Sequence, residues 1–246
     1  MGLFSKILNF SSEEKVKYGL TTDLHSHFLP GIDDGVKSFE EAIEVIKGFH
    51  ALGVKKIITT PHIMGDFYKN TPEIINGKRD ELRKILKEQN IEVQLEAAAE
   101  YYLDEFFLNM IQSKAPLLTF GDKYILVETS YMNASNFFHD VVFALKTDGY
   151  KPILAHPERY VYLYDDFDEF VALYQTGVFF QININSLSGY YSKESKFFAE
   201  RLIDEKMVDF IGSDCHGIRH LEPLRKSIST KYYEKLLNLK LLNNEL

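Results

Sequence analysis

The sequence predicts a single α/β barrel in which parallel strands alternate with helices. Three observations lead to this fold class. The chain has 246 residues and is 45% hydrophobic, which suffices for one large core. Short apolar runs typical of buried strands begin at seven places, and helical patterns separate them. Histidines and carboxylates stand at the ends of most of these runs, where the mouth of such a barrel would lie.

The seven predicted strands are short, and a helical pattern follows each of them. They begin near Thr22, Lys56, Glu92, Tyr124, Pro152, Val178 and Val208. A strand–helix repeat requires parallel strands joined by right-handed crossovers, in an open sheet or in a closed barrel. Because no glycine-rich phosphate-binding fingerprint follows the first strand, the sequence favours the barrel over a dinucleotide-binding sheet.

The first helix has the clearest sequence signals. Ser38 and Glu41 form a capping box, apolar residues follow at helical spacing as far as Phe49, and Gly53 marks the end. Further helices are predicted over Pro72–Gln89, Asp104–Gln112, Asn136–Thr147, Phe167–Gln175, Glu194–Glu205 and the segment after Leu221. Since no linker-like stretch interrupts this pattern, we expect one domain over residues 21–246, preceded by an N-terminal extension of residues 1–20.

Charge and cysteine content exclude several classes of protein. The chain has 28 basic and 36 acidic residues, a net charge of −8, and therefore lacks the basic footprint of a nucleic-acid-binding protein. No run approaches the roughly 18–20 apolar residues of a membrane span, and residues 3–10 lack the pattern of a signal peptide. The only cysteine, Cys215, can form no intramolecular disulfide. We therefore expect a cytoplasmic protein without a membrane span.

Six of the seven predicted strands end in histidines or carboxylates. The first ends DLHSH at 23–27 and the seventh ends SDCH at 213–216. In both, two ligand-type residues are two positions apart, so a regular pleat places them on the same side. A further carboxylate comes from the loop GIDDG at 31–35, whose glycines permit a tight backbone course. The expected metal ligands are His25, His27, Asp34, His62, Glu100, Glu128, His156, Asp214 and His216.

Nine ligands are too many for one metal ion. A single catalytic zinc takes about three protein ligands plus water, and two ions use about six or seven. Three divalent ions that share carboxylates would use all nine. Imidazole and carboxylate ligands suit manganese, iron or zinc, and the residues themselves do not choose among these metals.

Seven short motifs, in order between residues 23 and 216, resemble those of the PHP (polymerase and histidinol phosphatase) superfamily. They are DLHSH (23–27), GIDDG (31–35), TPH (60–62), AEYY (99–102), VE (127–128), AHPERY (155–160) and SDCH (213–216). Within the superfamily, DDG at 33–35 and HPER at 156–159 resemble the metal-dependent protein-tyrosine phosphatases of capsule and exopolysaccharide operons, the CpsB, CapC and YwqE type.

The resemblance implies more than the residues do by themselves. It implies a distorted (β/α)7 TIM-like barrel, three metal ions that are usually manganese, and Arg159 as the catalytic arginine that binds phosphate. It also implies a substrate partner, the tyrosine-rich tail of a bacterial tyrosine kinase of polysaccharide export, and hence a role in regulating capsule synthesis. The oligomeric state, including a homo-oligomer, stays open.

The chemistry expected of such a site is direct attack by metal-activated hydroxide on a phosphomonoester. Arg159 follows the ligand His156 by three residues and offers a planar, two-pronged donor to phosphoryl oxygens. A cysteine mechanism would need an arginine six residues after the nucleophile, but Leu221 stands six residues after Cys215. We therefore expect no covalent phosphoenzyme.

Two loops at the same edge carry aromatic side chains that could contact a phosphotyrosine ring. They are Phe67, Tyr68, Tyr190 and Tyr191. Each stacking pair would contribute roughly 0.5–1.5 kcal/mol. Ordinary loop packing explains these residues equally well.

Three other functions are compatible with the motifs. A histidinol-phosphate phosphatase or other small-molecule phosphatase would have the same metals and a different pocket. An amidohydrolase-type enzyme usually needs a lysine near the fourth strand, where this chain has Glu128. A non-catalytic metal-stabilised scaffold would not need Arg159 beside the metals.

Overall fold

Nine short strands of the described part of the chain surround the centre of the molecule, and every pair of neighbouring strands is parallel. The computed structural model describes residues 17–246. The strands are β1 (Thr22–Ser26), β2 (Lys56–Thr59), β3 (His62–Ile63), β4 (Gln94–Ala97), β5 (Glu100–Tyr102), β6 (Tyr124–Glu128), β7 (Lys151–Ala155), β8 (Phe179–Asn183) and β9 (Phe210–Cys215).

The sheet closes on itself through two interrupted strands. Its order is β3-β5-β6-β7-β8-β9-β1-β2-β4. Strands β2 and β3 are separated only by Thr60 and Pro61, and strands β4 and β5 only by Ala98 and Ala99. At one end of this order β3 pairs with β5, and at the other end β2 pairs with β4. Both ends are therefore formed by the same two chain segments, β2–β3 and β4–β5. Seven segments thus form the distorted barrel that the sequence predicts.

The interruptions have a local cause in the backbone. Pro61 has no N–H with which to continue the ladder. The ladder resumes through Ala98, whose N–H donates to the carbonyl of Thr59, and Glu100, whose N–H donates to the carbonyl of Pro61. His62 and Glu100 therefore begin new short strands, although the sequence predicts that each ends a strand.

Within residues 17–246, eight α-helices cover the outside of the barrel. They are α1 (Phe39–Ala51), α2 (Pro72–Glu88), α3 (Glu105–Gln112), α4 (Phe138–Thr147), α5 (Phe167–Gln175), α6 (Lys193–Asp204), α7 (Leu221–Ile228) and α8 (Lys231–Leu237). The bounds of α2 to α6 agree with the sequence prediction to within two residues. Half of the predicted capping box is confirmed, because the Ser38 side chain accepts the N–H of Glu41 at the start of α1. The Glu41 side chain accepts the N–H of Lys37 instead of that of Ser38.

Apolar side chains fill the base of the barrel, and the C-terminus covers it. Leu24, Ile153 and Phe210 belong to a buried cluster inside the strands, against which Leu242 and Leu246 pack. The Asn243 side chain donates to the carbonyl of Ile211 and accepts its N–H, at 2.8 and 2.9 Å. A larger apolar layer separates the strands from the helices.

The predicted N-terminal extension of residues 1–20 lies mostly outside the described residues, which begin at Lys17. Tyr18 and Leu20, on the extension side of the predicted boundary, are buried in the same core as the barrel. The N–H of Tyr18 donates to the carbonyl of Leu52 after α1. Between residues 17 and 246, no helix combines the length and the hydropathy that crossing a membrane requires.

Candidate metal centre

The nine predicted ligands meet at the carboxyl ends of the strands. Their ligand atoms form four overlapping groups, and within each group these atoms lie within 4.8 Å of one another. The groups are His27–Asp34–His62–His216, His25–His27–Glu100, His25–His156–Asp214 and His62–Glu100–Glu128. Four residues belong to two groups each, so the groups form one continuous cluster. Among residues 17–246, no other side chain belongs to a group of this kind.

Three of these residues have backbone conformations that are uncommon for side chains with a Cβ. His25, His156 and Asp214 have φ angles of 72°, 35° and 47°, in the left-handed region. Such conformations cost on the order of 1–3 kcal/mol each and persist where surrounding structure imposes them. The same three residues form one of the four ligand groups. Three of the seven non-glycine residues with positive φ among residues 17–246 are thus predicted ligands.

His25 and His27, and likewise Asp214 and His216, belong to the same cluster, but the regular pleat of a strand does not bring them there. The pairing of β1 with β9 shifts register between Leu24 and Ser26. With positive φ at His25 and Asp214, the strand alternation expected from the sequence is broken at both positions. Even so, Nε2 of His25 and Nε2 of His27 lie 3.1 and 3.5 Å from Oε2 of Glu100.

Two residues that the sequence analysis did not single out orient the histidines. Asp33 Oδ2 lies 2.8 Å from Nδ1 of His27, and Gln181 Oε1 lies 2.7 Å from Nδ1 of His25. Oxygen acceptors at Nδ1 keep the proton there and leave Nε2 as the free lone pair, an arrangement typical of metal-ligating histidines. The one sequence signal for Asp33 is its place beside Asp34. Gln181 has none, because its distance from His25 along the chain is 156 residues.

A buried atom without a hydrogen-bond partner shows that these residues fit metal ions. Nε2 of His27 is buried and unpaired, although buried polar atoms in proteins nearly always have a partner. It points between Glu100 and Asp214, with an oxygen of each 3.5 Å away. A lone pair aimed between two carboxylates suits a cation that all three would ligate.

In the metal-free protein, protonated histidine neutralises part of the negative charge of the cluster. Burial lowers the pKa of His62, but the adjacent carboxylates of Glu128 and Glu100 reverse that effect and raise it to about 9. Burial raises the pKa of Asp214, yet the charges of His25 and His216 bring it well below its usual range. Metal binding must therefore displace protons from imidazoles.

Arg159 lies at the edge of the cluster and is held on three sides. It ends a short 3-10 helix, Pro157–Arg159, that follows β7. Its Nη1 donates to Oδ2 of Asp214 at 2.8 Å. Its guanidinium lies between the rings of Tyr131 and Tyr191, with Cζ 4.5 and 4.0 Å from the two centroids. The side chain is 18% exposed, so it still faces the cavity.

A cavity of about 340 Å³ opens above the cluster. Its lining contains Arg159, Tyr190 and Tyr191, as well as Tyr131, Arg219 and His220, which the sequence analysis did not select. Tyr131 lies in a loop and Arg219 in a short 3-10 helix, Ile218–His220, and the position of both is visible only in the folded chain. A larger cavity of about 440 Å³ between α2 and β4 contains none of the predicted ligands.

The predicted aromatic wall is only partly present. Tyr190 and Tyr191 line the cavity, but Phe67 and Tyr68 do not. The loop after β3 folds back through reciprocal backbone hydrogen bonds between Met64 and Tyr68, which leaves Phe67 in solvent at 76% exposure. Tyr68 instead stacks on the imidazole of His62, with ring centroids 5.6 Å apart.

Cys215 lies in the apolar core and not among the ligands of the cluster. Its side chain is buried in the apolar core, and Sγ contacts the carbonyl of Gly217 at 3.4 Å. Burial raises the pKa of the Cys215 thiol well above its usual value. A nucleophilic thiolate is therefore disfavoured at this position.

Comparison with known proteins identifies relatives over most of the chain. The capsular polysaccharide synthesis family CpsB/CapC matches residues 21–244. Tyrosine-protein phosphatase YwqE of Bacillus subtilis is 31% identical over 199 residues, covering 80% of this chain and 78% of the relative. A putative tyrosine-protein phosphatase, CapC of Staphylococcus aureus, is 29% identical over 219 residues, covering 87% and 86%.

A solved structure extends the likeness to three dimensions. It comes from a study of YwqE from Bacillus subtilis and CpsB from Streptococcus pneumoniae, described as unique metal-dependent tyrosine phosphatases. It superposes with a TM-score of 0.77 at 26% identity and covers 89% of this chain and 96% of the other. The match to residues 21–244 includes every strand and all nine predicted ligands. The chain belongs to the CpsB/CapC family of capsular polysaccharide synthesis proteins.

Proposed function

We propose that this protein is a metal-dependent phosphatase that hydrolyses phosphotyrosine on proteins. The observation that carries the proposal is the position of Arg159 at the edge of a cluster of nine metal-ligand side chains, in one cavity. A phosphate-binding guanidinium beside divalent cations is the arrangement that phosphoryl transfer requires. The names of the relatives, tyrosine-protein phosphatases, support phosphotyrosine as the substrate class.

Three divalent ions, manganese in preference to iron or zinc, are part of the proposal. The overlapping groups provide shared ligands such as Glu100, as closely spaced ions require. When bound, such ions lower the pKa of water so that hydroxide exists near neutral pH, and they place positive charge next to phosphoryl oxygens. Asp33 and Gln181 prepare His27 and His25 by holding a proton on Nδ1 of each ring.

Arg159 binds and orients the phosphoryl group in this proposal. Its contact with Asp214 uses Nη1, and a guanidinium carries five N–H donors, so further donors are available to phosphoryl oxygens. The rings of Tyr131 and Tyr191 restrict its rotation and thereby reduce the entropy lost when phosphate binds. Tyr190 and Tyr191 at the cavity wall can contact the phenyl ring of the substrate.

Glu158 supports this arrangement from below. It is fully buried, and its Oε1 accepts the N–H of Asn183 and the hydroxyl of Ser186. The side-chain amide of Asn183 in turn donates from Nδ2 to Oδ2 of Asp214, at 2.7 Å. The short helix that carries Arg159 is thus fixed to the end of β8 and to a predicted ligand.

The proposal extends to the biological setting. Residues 21–246 form the catalytic domain, and the substrate is the phosphorylated tail of a tyrosine kinase of polysaccharide export. The family description, capsular polysaccharide synthesis, supports this setting. We place the enzyme in the cytoplasm, where a lone cysteine stays reduced.

One assay tests the proposed function. Purified protein with Mn²⁺ is given a phosphotyrosine peptide, a phosphoserine peptide and histidinol phosphate, and released phosphate is measured. We expect phosphotyrosine to be preferred, and both a chelator and His27→Ala to remove the activity. Preference for histidinol phosphate would refute the tyrosine assignment, and no phosphate release from any substrate would refute the enzyme.

A further inference from the structure

Large apolar side chains are exposed mainly on the face that contains the cavity. The residues described include nine exposed large hydrophobics, and six of these lie within seven positions after the end of a strand. We call these six the apolar rim: Phe67, Phe106, Tyr131, Met132, Val161 and Tyr190. The surface around a charged cluster is ordinarily polar. Exposed apolar side chains grouped there therefore indicate a binding surface.

The rim follows one continuous arc of the barrel. Its residues come after β3, β5, β6, β7 and β8, which are consecutive in the sheet. Neighbouring loops along the arc are joined. Gly65 packs so closely on Phe106 that a Cβ at position 65 would lie 2.6 Å from Cβ of Phe106. The hydroxyl of Ser135 donates to the carbonyl of Leu103. The N–H of Val161 donates to the carbonyl of Tyr131.

The rim is continuous with the cavity. Tyr131 and Tyr190 are exposed members of the rim, and both also line the cavity above the cluster. A molecule bound in the cavity and extending outwards on this side would therefore contact apolar side chains next. Met132 is 63% exposed directly beside Tyr131, and such a side chain adapts well to varied apolar partners.

We propose that the apolar rim binds apolar side chains next to the phosphotyrosine of a peptide substrate. This inference rests on the proposed function and names its substrate class more closely. Exposed acidic residues lie close to rim residues along the chain, among them Asp66, Glu105 and Asp165. Peptides with acidic flanks would be repelled there, whereas aliphatic or aromatic flanks would bury surface of the rim.

Rim variants and matched exposed controls test this surface. Phe67→Ser and Met132→Ser change the rim, where the two side chains are 76% and 63% exposed. Phe143→Ser and Phe197→Ser are the controls, because these side chains are 73% and 58% exposed on α4 and α6, away from the rim. The substrates are p-nitrophenyl phosphate and three phosphotyrosine peptides whose flanks are leucine and phenylalanine, serine and glycine, or glutamate.

We expect the wild-type protein with Mn²⁺ to have the highest kcat/KM on the apolar-flanked peptide and the lowest on the acidic one. The double rim variant should lose about tenfold in kcat/KM on the apolar-flanked peptide relative to p-nitrophenyl phosphate, mainly through KM. The control variants should lose nothing. Equal losses in rim and control variants, or no preference among the flanks, would overturn the inference.

A binding measurement separates this inference from the proposed function. Fluorescence anisotropy with the apolar-flanked peptide, carrying a phosphonate in place of phosphate, reports binding without turnover. Rim-dependent binding by a protein that hydrolyses no substrate would refute the proposed function and support the surface. If light scattering instead shows an oligomer that the rim variants dissociate, the rim is an interface between copies and the inference is wrong.

Discussion

At the mouth of the barrel, charged side chains are crowded together, whereas at its base only apolar side chains and a covering C-terminus meet. The mouth contains left-handed residues such as His156 and an unpaired buried nitrogen on His27. The base contains Phe210 and Leu24 in close packing, and Asn243 satisfies both backbone groups of Ile211. One end of the fold thus presents ligand atoms, and the other end is closely packed and hydrogen-bonded.

The difference teaches how this fold separates stability from chemistry. Parallel strands bring their carboxyl ends to one edge, so loops there vary without disturbing the packed base. Changes at the mouth should therefore alter binding and catalysis more than folding, and changes at the base should do the reverse. The following predictions test that contrast, beginning with the largest expected effect.

Metal removal should have the largest effect, and only at the mouth. Without cations, three carboxylates of the cluster line the cavity that phosphate must enter, so we expect a chelator to abolish binding of inorganic phosphate rather than merely slow turnover. Calorimetric titration of phosphate into Mn²⁺-loaded and chelated protein measures this. Restored binding on adding back Mn²⁺ is the control, and equal affinity in both forms would contradict the metal assignment.

Arg159→Ala should lower kcat/KM on a phosphotyrosine peptide by about 100- to 1,000-fold, the usual effect of losing one donor to transition-state charge. Arg159→Lys should recover little of this, because lysine lacks the planar fork that stacks between Tyr131 and Tyr191. The melting temperature should hardly change. A variant that keeps its activity would contradict the phosphate-binding role of Arg159. A variant that fails to fold would show that Arg159 has a structural role instead.

At the base, Asn243→Ala should affect stability and leave the chemistry intact. It removes both hydrogen bonds to the buried backbone of Ile211, which should cost about 2 kcal/mol of unfolding free energy. For a protein of this size the melting temperature should fall by about 4–8 °C. The exposed neighbour Asn244→Ala is the matched control. Lost turnover in folded Asn243→Ala protein would break the contrast between the two ends.

The smallest expected effect is a pH dependence of stability in the metal-free protein. The pKa of His62, about 9 when folded, exceeds the ordinary imidazole value of 6.5. Its stabilising contribution is therefore complete below pH 6.5 and is lost as the pH rises through 9. The melting temperature of the metal-free protein should therefore fall between pH 6.5 and 9.

Metal-loaded protein should not show this decline, because its imidazoles are already neutral ligands. Thermal melts between pH 6.5 and 9, with and without Mn²⁺, measure the difference. His62→Gln should flatten the profile of the metal-free protein. Parallel profiles for both forms would mean that His62 is not protonated in the cluster.

The sequence alone determined the fold class, and it brought nine ligand-type residues to one edge. Periodicity locates strands and helices, and parallel strands necessarily share a carboxyl edge, so the positions of residues such as Glu128 and Asp214 could be read from the chain. The capping box at Ser38 was equally local. These features depend on residues that are neighbours in sequence, and for that reason they were predictable.

Only the tertiary structure decided how those residues meet. The ladder that resumes at Ala98 and the contact of Gln181 with His25 depend on partners that lie far away along the chain. The same holds for Tyr131 beside Arg159, and for Phe67, which a turn in its loop directs into solvent. Side-chain periodicity carries no information about such distances, because they are set when the barrel closes.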